Sequence, residues 1–131
     1  MRALAGLTVL DVTQVMAGPF CAMQLADLGA DVIKVEPPGG DSTRRWGSDG
    51  AGTDSAGFNA VNRGKRGIVL NLKSPAGQEV FRRLARRADV VIENYRPGVM
   101  AEFGLDYPRL SADNPRLIYA TILLLSRLYV I

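Results

Sequence analysis

Polar residues that can bind an anion or a flat ring follow one of the most apolar runs of the chain. Asn94, Tyr95 and Arg96 come directly after the run ADVVIE. The asparagine amide can donate and accept hydrogen bonds, the tyrosine ring offers a flat face, and the planar guanidinium suits phosphate. Asn-x-x-Pro-Gly is also a favourable turn by itself, so a purely structural role for this segment stays open.

A lysine occupies a comparable position after another apolar run. Lys73 follows the strand predicted over residues 67–72 and precedes Ser74 and Pro75, which are typical of a helix N-cap and first turn. An ammonium group beside a helix N-terminus is a plausible phosphate site. A lysine at a strand end is more commonly just solvated, and the spacing alone does not separate the two interpretations.

The elements that must position these residues begin with residues 7–35. The apolar run at residues 7–12 predicts a buried strand, Gly18 and Pro19 predict a helix start, and Gly29 predicts its left-handed end. A second strand follows at residues 31–35. Strand, helix and strand in this order form a βαβ unit with parallel strands, so the sequence predicts an α/β fold with a Rossmann-like parallel sheet flanked by helices.

The remaining elements follow the same alternation. Strands are predicted at residues 67–72, 89–93 and 116–122, and helices at residues 55–62, 76–87, 99–103 and 108–111. Because ligands of parallel sheets bind beyond the carboxyl ends of the strands, the candidate residues should meet at one edge. Between residues 37 and 54 lies a long loop rich in glycine and proline, in which Arg44, Arg45 and Trp46 could clamp a ligand or simply cover the surface.

A nicotinamide dinucleotide site is the obvious alternative for this edge. Glu36, at the end of the second strand, could then bind a ribose. The fingerprint for that site needs three glycines, and the loop from Thr13 to Gly18 offers only one. The sequence therefore disfavours a dehydrogenase.

Composition limits the chemistry further. The 131 residues predict one domain over residues 1–131. No run is apolar enough for a membrane helix or a signal peptide, so a cytoplasmic protein is expected.

The chain has no histidine and one cysteine, Cys21, predicted inside the first helix as a small apolar residue. No zinc cluster or histidine-activated nucleophile is expected, and no metal. The net charge of +3 favours anionic ligands, but the arginines at positions 82, 83, 86 and 87 predict a solvated helix face rather than a nucleic-acid surface.

Several segments resemble the class III CoA-transferases, a family that also holds α-methylacyl-CoA racemase. The resemblance runs from about Leu4 to Ile122 and rests on VLDVTQVMAGPFCAMQLADLGADVIKVEPPGGD, NRGKRGIVLNLKSPAG, VIENYRPGVM and NPRLIYATI. It implies a coenzyme A (CoA) site, an acyl-CoA and a carboxylic acid as substrates, no metal, and an interlocked homodimer. The residues it assigns to CoA are Met16, Ala17, Leu70, Asn71, Leu72, Lys73, Asn94, Tyr95 and Arg96.

The chain departs from the family in three respects. Pro37 and Glu102 stand where better-known members have arginines, so two cations for CoA are missing or come from Arg44 or Arg45. After Ile122 the similarity stops, and the family's nucleophilic aspartate has no counterpart; Asp11, inside a predicted strand, is expected to be structural. We therefore expect a truncated or frame-shifted member with an exposed, aggregation-prone tail. A CoA-binding fragment without catalytic activity and the racemase branch, which needs a histidine, remain alternatives.

Overall fold

The computed structural model describes residues 2–47 and 54–123. Within these ranges five strands form one parallel sheet in the order β3-β2-β1-β4-β5. The strands are β1 (Thr8–Asp11), β2 (Asp31–Glu36), β3 (Arg66–Val69), β4 (Val90–Glu93) and β5 (Ile118–Thr121). The predicted α/β class and parallel sheet are confirmed.

Helices connect these strands as the alternating pattern predicts. They are α1 (Ala17–Asp27), α2 (Ala56–Asn62), α3 (Pro75–Ala85), α4 (Val99–Glu102) and α5 (Tyr107–Asp113). The long loop after β2 contains a 3-10 helix, Ser42–Arg45, which was not predicted. Asp41 is its N-cap, and the Asp41 carboxylate accepts a hydrogen bond from the Thr43 amide. Residues 48–53 of this loop and the predicted exposed tail at 124–131 lie outside the described residues. No helix in the described ranges is long and apolar enough to cross a membrane.

The order of the strands creates a crevice beside β1. The chain adds β2 and then β3 on one side of β1, and returns to the other side for β4 and β5. Val9 pairs with Val90 and Asp11 with Ile92, so β1 and β4 end at the same level. Connections that leave neighbouring strands in opposite directions open a cleft at their carboxyl ends, which is where ligands of open parallel sheets bind.

The inner strands β1, β2 and β4 are mostly buried on both faces, and this explains their nearly continuous apolar runs. On one face Leu10 and Val91 pack with Phe81 of α3. On the other face Val9 and Ile92 pack with α1. Cys21 lies in α1 as predicted, but its side chain is exposed and not part of this packing.

Candidate functional site

A pocket of about 290 Å³ opens at the carboxyl edge of the sheet. It collects residues that follow β1, β2, β3 and β4, together with one aromatic ring from the turn after α4. Its lining consists of Gln14, Val35, Glu36, Pro37, Pro38, Leu70, Asn71, Leu72, Lys73, Tyr95 and Phe103. The wall is mostly apolar, with a few polar groups at defined positions, as in many small-molecule sites.

The segment from Leu70 to Lys73 is fixed against the start of α3. Ser74 caps the helix by accepting a hydrogen bond from the Gly77 amide at 3.2 Å. A Cβ atom on Gly77 would lie 2.1 Å from the Asn71 carbonyl oxygen, so only glycine allows this approach. The Gln78 side chain adds a hydrogen bond to the Leu72 carbonyl at 3.0 Å. This part of the pocket wall is therefore fixed by contacts to its backbone atoms.

Lys73 supplies a positive charge at the pocket. Its backbone amide donates to the Asn71 side chain at 3.1 Å, which closes a tight turn just before α3. The side chain is exposed, and among residues 2–47 and 54–123 its ammonium makes no ion pair. An unneutralised ammonium beside an apolar pocket can bind an anionic group of a ligand that also has a flat or apolar part.

Tyr95 and Phe103 form the aromatic side of the pocket. Their rings meet edge to face with centroids 6.1 Å apart. Burial raises the pKa of the Tyr95 hydroxyl, and a hydrogen bond with the Gln14 side chain opposes this only in part, so the phenol is neutral at physiological pH. The Tyr95 amide donates to the Glu93 carboxylate at 2.8 Å, which fixes the turn after β4.

Asn94 does not line the pocket but holds a residue that does. Its side-chain oxygen accepts from the Gln14 amide at 2.9 Å, and its side-chain nitrogen donates to the Gln14 carbonyl at 2.8 Å. Gln14 lies on the pocket wall. The asparagine therefore joins the ends of β1 and β4 across the crevice.

Besides Asn94, three more of the residues predicted for the site do not line this pocket. Met16 precedes the first turn of α1 with a side chain 49% exposed, and Ala17 begins that helix. Arg96 lines a separate depression beside Tyr107 and Tyr119. The structure thus brings together Leu70, Asn71, Leu72, Lys73 and Tyr95, with Asn94 adjoining them.

Other pocket residues were missed, although some could have been found. Gln14 follows β1, and Pro37 and Pro38 follow β2, so the rule that strand ends share one edge applies to them as well. Phe103 depends on how α4 packs, for which the sequence carries no local signal.

Glu36 and Arg44 form an ion pair beside the pocket. The arginine donates to both carboxylate oxygens at 2.6 and 2.7 Å, and the Asp41 amide donates to Glu36 at 2.8 Å. Arg44 also pairs with Asp54 at 2.7 Å and lies over the Phe58 ring, 3.8 Å from its centroid. Arg44 therefore holds the loop against the sheet, and its role as a ligand cation stays a prediction. Glu36 accepts three hydrogen bonds from Arg44 and Asp41, so its main contacts are within the protein.

The comparison with known families bears directly on this edge of the sheet. The model of CoA-transferase family III matches residues 4–124. The chain belongs to CoA-transferase family III. The match contains every element of the sheet and every residue of the pocket, so the resemblance seen in separate segments extends over the whole described fold.

Relatives within CoA-transferase family III are similar along almost the entire chain. Succinate–glutarate CoA-transferase of Agrobacterium fabrum is 51% identical and covers 91% of this chain. Succinyl-CoA:mesaconate CoA-transferase of Haloarcula marismortui is 52% identical and covers 93%. A crystal structure of a CAIB/BAIF family protein from Brucella suis superposes with a TM-score of 0.86 at 48% identity over 92% of this chain. The chain spans 32% of the length of each of the two curated relatives and 33% of the solved chain.

Proposed function

We propose that residues 1–131 form the CoA-binding Rossmann-like domain of a CoA-transferase that exchanges CoA between carboxylic acids. The observation that carries the proposal is the single pocket to which Leu70, Asn71, Leu72, Lys73 and Tyr95 all contribute. The family match and the names of the relatives support the same activity. The protein acts in the cytoplasm, and the working unit is a homodimer.

The pocket suits the nucleotide end of CoA. A cavity of about 290 Å³ holds a base and a sugar rather than the whole molecule. The adenine lies against the Tyr95 and Phe103 rings and the proline wall, and Lys73 binds a phosphate. Met16, Ala17 and Arg96, at the neighbouring start of α1 and beyond Tyr95, contact the more distant parts of the ligand.

CoA is exchanged between two dicarboxylic acids, one of which enters the reaction as its CoA thioester. Succinate, glutarate and mesaconate appear in the names of relatives that are 51% and 52% identical to this chain over 32% of their own length. In the full reaction an enzyme carboxylate attacks the thioester carbonyl carbon, which forms a mixed anhydride and releases the CoA thiolate. The thiolate then attacks the enzyme carbonyl of the anhydride, which releases the first acid and leaves an enzyme–CoA thioester. The carboxylate of the second acid attacks this thioester, and the thiolate that leaves attacks the second acid's carbonyl in the new anhydride, giving its CoA thioester and the free enzyme carboxylate. No residue of this chain is assigned as that nucleophile, because Glu36, the carboxylate on the pocket wall, is held by Arg44.

Calorimetry with free CoA tests the proposal. We expect saturable binding at one site per chain, and no binding of NADH, because the loop from Thr13 to Gly18 has one glycine where a dinucleotide site needs three. Tyr95→Ala should weaken CoA binding, whereas Leu28→Ala, which truncates a half-exposed apolar side chain at the C-terminal end of α1, should not. Absence of CoA binding in the parent chain, or tighter binding of NADH, would contradict the proposal.

An acyl-exchange assay decides between a transferase and a binding domain without turnover. The assay follows transfer of CoA from succinyl-CoA to labelled glutarate. Turnover supports the first function, and CoA binding without turnover favours the second.

A further inference from the structure

Lys65 is buried, although it belongs to the basic segment NRGKR, which resembles a surface turn. Its side chain is only 2% exposed. The ammonium donates to the Asp11 carboxylate at 2.7 Å, the Pro19 carbonyl at 2.8 Å and the Asn62 side chain at 2.8 Å. An ammonium has three donors, and here all three are used.

Two of these acceptors stand at opposite ends of the β1–α1 loop, residues 12–16. Asp11 precedes the loop and Pro19 follows it. The second oxygen of Asp11 accepts from both the amide and the hydroxyl of Thr13. Lys34, only 3% exposed, donates to the Thr13 carbonyl at 2.9 Å and pairs with Asp41 at 3.1 Å. Buried charges thus fix Thr13 inside the loop and both of the loop's flanks.

The same loop contains a strained residue. Val15 has φ of 75°, a left-handed conformation that is unfavourable for a β-branched side chain. Its neighbour Gln14 is held by Asn94 and lies on the pocket wall. Strain of this kind persists only where the surroundings over-determine the backbone, and such sites cluster where ligands bind.

We propose that Lys65 is a positioning residue for the pocket. By tying Asp11 to Pro19 it closes the base of the β1–α1 loop, and this holds Val15 in its left-handed conformation and Gln14 at the pocket wall. The identity of the ligand rests on the proposed function, whereas the effect of Lys65 on the loop does not. The NRGKR segment, which the pocket itself does not explain, acquires a role in this way.

Removing the charge of Lys65 alone leaves Asp11 buried without a partner, which can prevent folding. The test therefore uses Asp11→Asn/Lys65→Met as well as Lys65→Met. The double variant has no net buried charge, and the asparagine still accepts from Thr13. Arg66→Met is the matched control, because Arg66 is the next residue and its ion pair with Asp31 is exposed, at 66% and 48% for the two side chains.

Hydrogen exchange of single amides and the affinity for CoA are the two measurements. In the double variant we expect the Gln14 amide to exchange about tenfold faster, while the Val12 amide, bonded to the Ile92 carbonyl in the sheet, stays as protected as in the parent. CoA affinity should fall by about tenfold, and Arg66→Met should change neither quantity.

Three results would overturn the proposal. The first is unchanged exchange of the Gln14 amide in the folded double variant. The second is equal acceleration of amide exchange at Val12 and Gln14, and the third is loss of the native circular dichroism signal in the double variant. Either of the last two results would mean that Lys65 supports the whole fold. If the parent does not bind CoA, the proposed function fails, but the exchange at Gln14 still decides the role of Lys65.

Discussion

Asn94 and Gln14 bind each other through two hydrogen bonds, although 80 residues separate them in the sequence. The asparagine side chain satisfies both the amide and the carbonyl of the Gln14 backbone, at 2.9 and 2.8 Å. One side chain therefore fixes the end of β1 relative to the end of β4, at the point where the crevice opens. The pocket depends on this relation because Gln14 and Tyr95 lie on its wall.

Replacing this asparagine tests that dependence. Asn94→Ala leaves the partly buried amide and carbonyl of Gln14 without their partner, so we expect the free energy of unfolding to fall by about 1–3 kcal/mol. Urea denaturation measures the change. Asn59→Ala, at an exposed position of α2, should change it by less than about 0.5 kcal/mol. Equal stability of the two variants would contradict the role of Asn94.

Lys73 should contribute charge rather than structure. Because its ammonium is exposed and makes no ion pair within the described residues, Lys73→Met should leave the unfolding free energy within about 0.5 kcal/mol of the parent. CoA binding should weaken by about tenfold and depend less steeply on salt. Titration calorimetry at low and high ionic strength checks both effects. Arg116→Met removes a positive charge that is 90% exposed and far from the pocket lining, so the same loss in that variant would show a general charge effect instead.

Val15 offers a test with an unusual sign. Glycine adopts a positive φ without steric cost, so Val15→Gly should raise the unfolding free energy by up to about 1 kcal/mol despite the greater freedom of glycine in the unfolded chain. Val80→Gly, in the interior of α3 with a side chain 37% exposed, should lower it by roughly 1 kcal/mol. Denaturation of the two variants side by side gives the comparison, and a loss of stability in both would show that Val15 is not strained.

Acid should unfold the protein partly through the loop after β2. Burial opposes the ionised form of Glu36 and of Asp41, but hydrogen bonds from Arg44 and from Thr43, with charge attraction to Lys34, outweigh it, so both pKa values lie below their usual 4.5 and 3.8. Carboxyls with a lowered folded pKa add stability above the unfolded pKa, and this stability is lost as the pH falls through the folded pKa. The unfolding free energy should therefore begin to fall as the pH drops towards 4.5 and 3.8, and continue to fall until both folded pKa values have been passed. Glu36→Gln should make this slope shallower, and Glu102→Gln, at an exposed site, should leave it as in the parent.

The elements of the fold were predictable because their signals are local. Leu7 to Val12, the Gly18-Pro19 pair and Gly29 predict strand, helix start and helix end from neighbouring residues, and the structure agrees within a few positions. β3 is the main difference. It ends at Val69, where residues up to 72 were predicted, because after a last hydrogen bond from the Leu70 amide to Glu36 the chain turns at Asn71 towards α3. An apolar run in the sequence does not indicate at which residue the pairing between two strands stops.

The site was predictable only where it follows strand ends. Lys73 and Tyr95 were found in that way, and they line one pocket as the shared edge requires. The partners of Glu36 and Lys65 were not foreseen. Arg44 is near Glu36 in sequence but lies in a loop without a periodic pattern, and Asp11 is 54 positions from Lys65. A carboxylate at the end of β2 looks free in the sequence, and only the folded chain shows the guanidinium that occupies it.

The tie between Lys65 and Asp11 has a consequence for synthesis on the ribosome. The first βαβ unit is translated by residue 36, but the ammonium that neutralises its buried aspartate arrives 54 positions after Asp11. Until Lys65 emerges, the Asp11 carboxylate of the nascent chain has no positive partner. Burying it in the sheet is then unfavourable, which disfavours early folding of the βαβ unit. We expect this unit to stay open during translation until α2 and β3 have emerged, and the loop after β1 to reach its final shape only then.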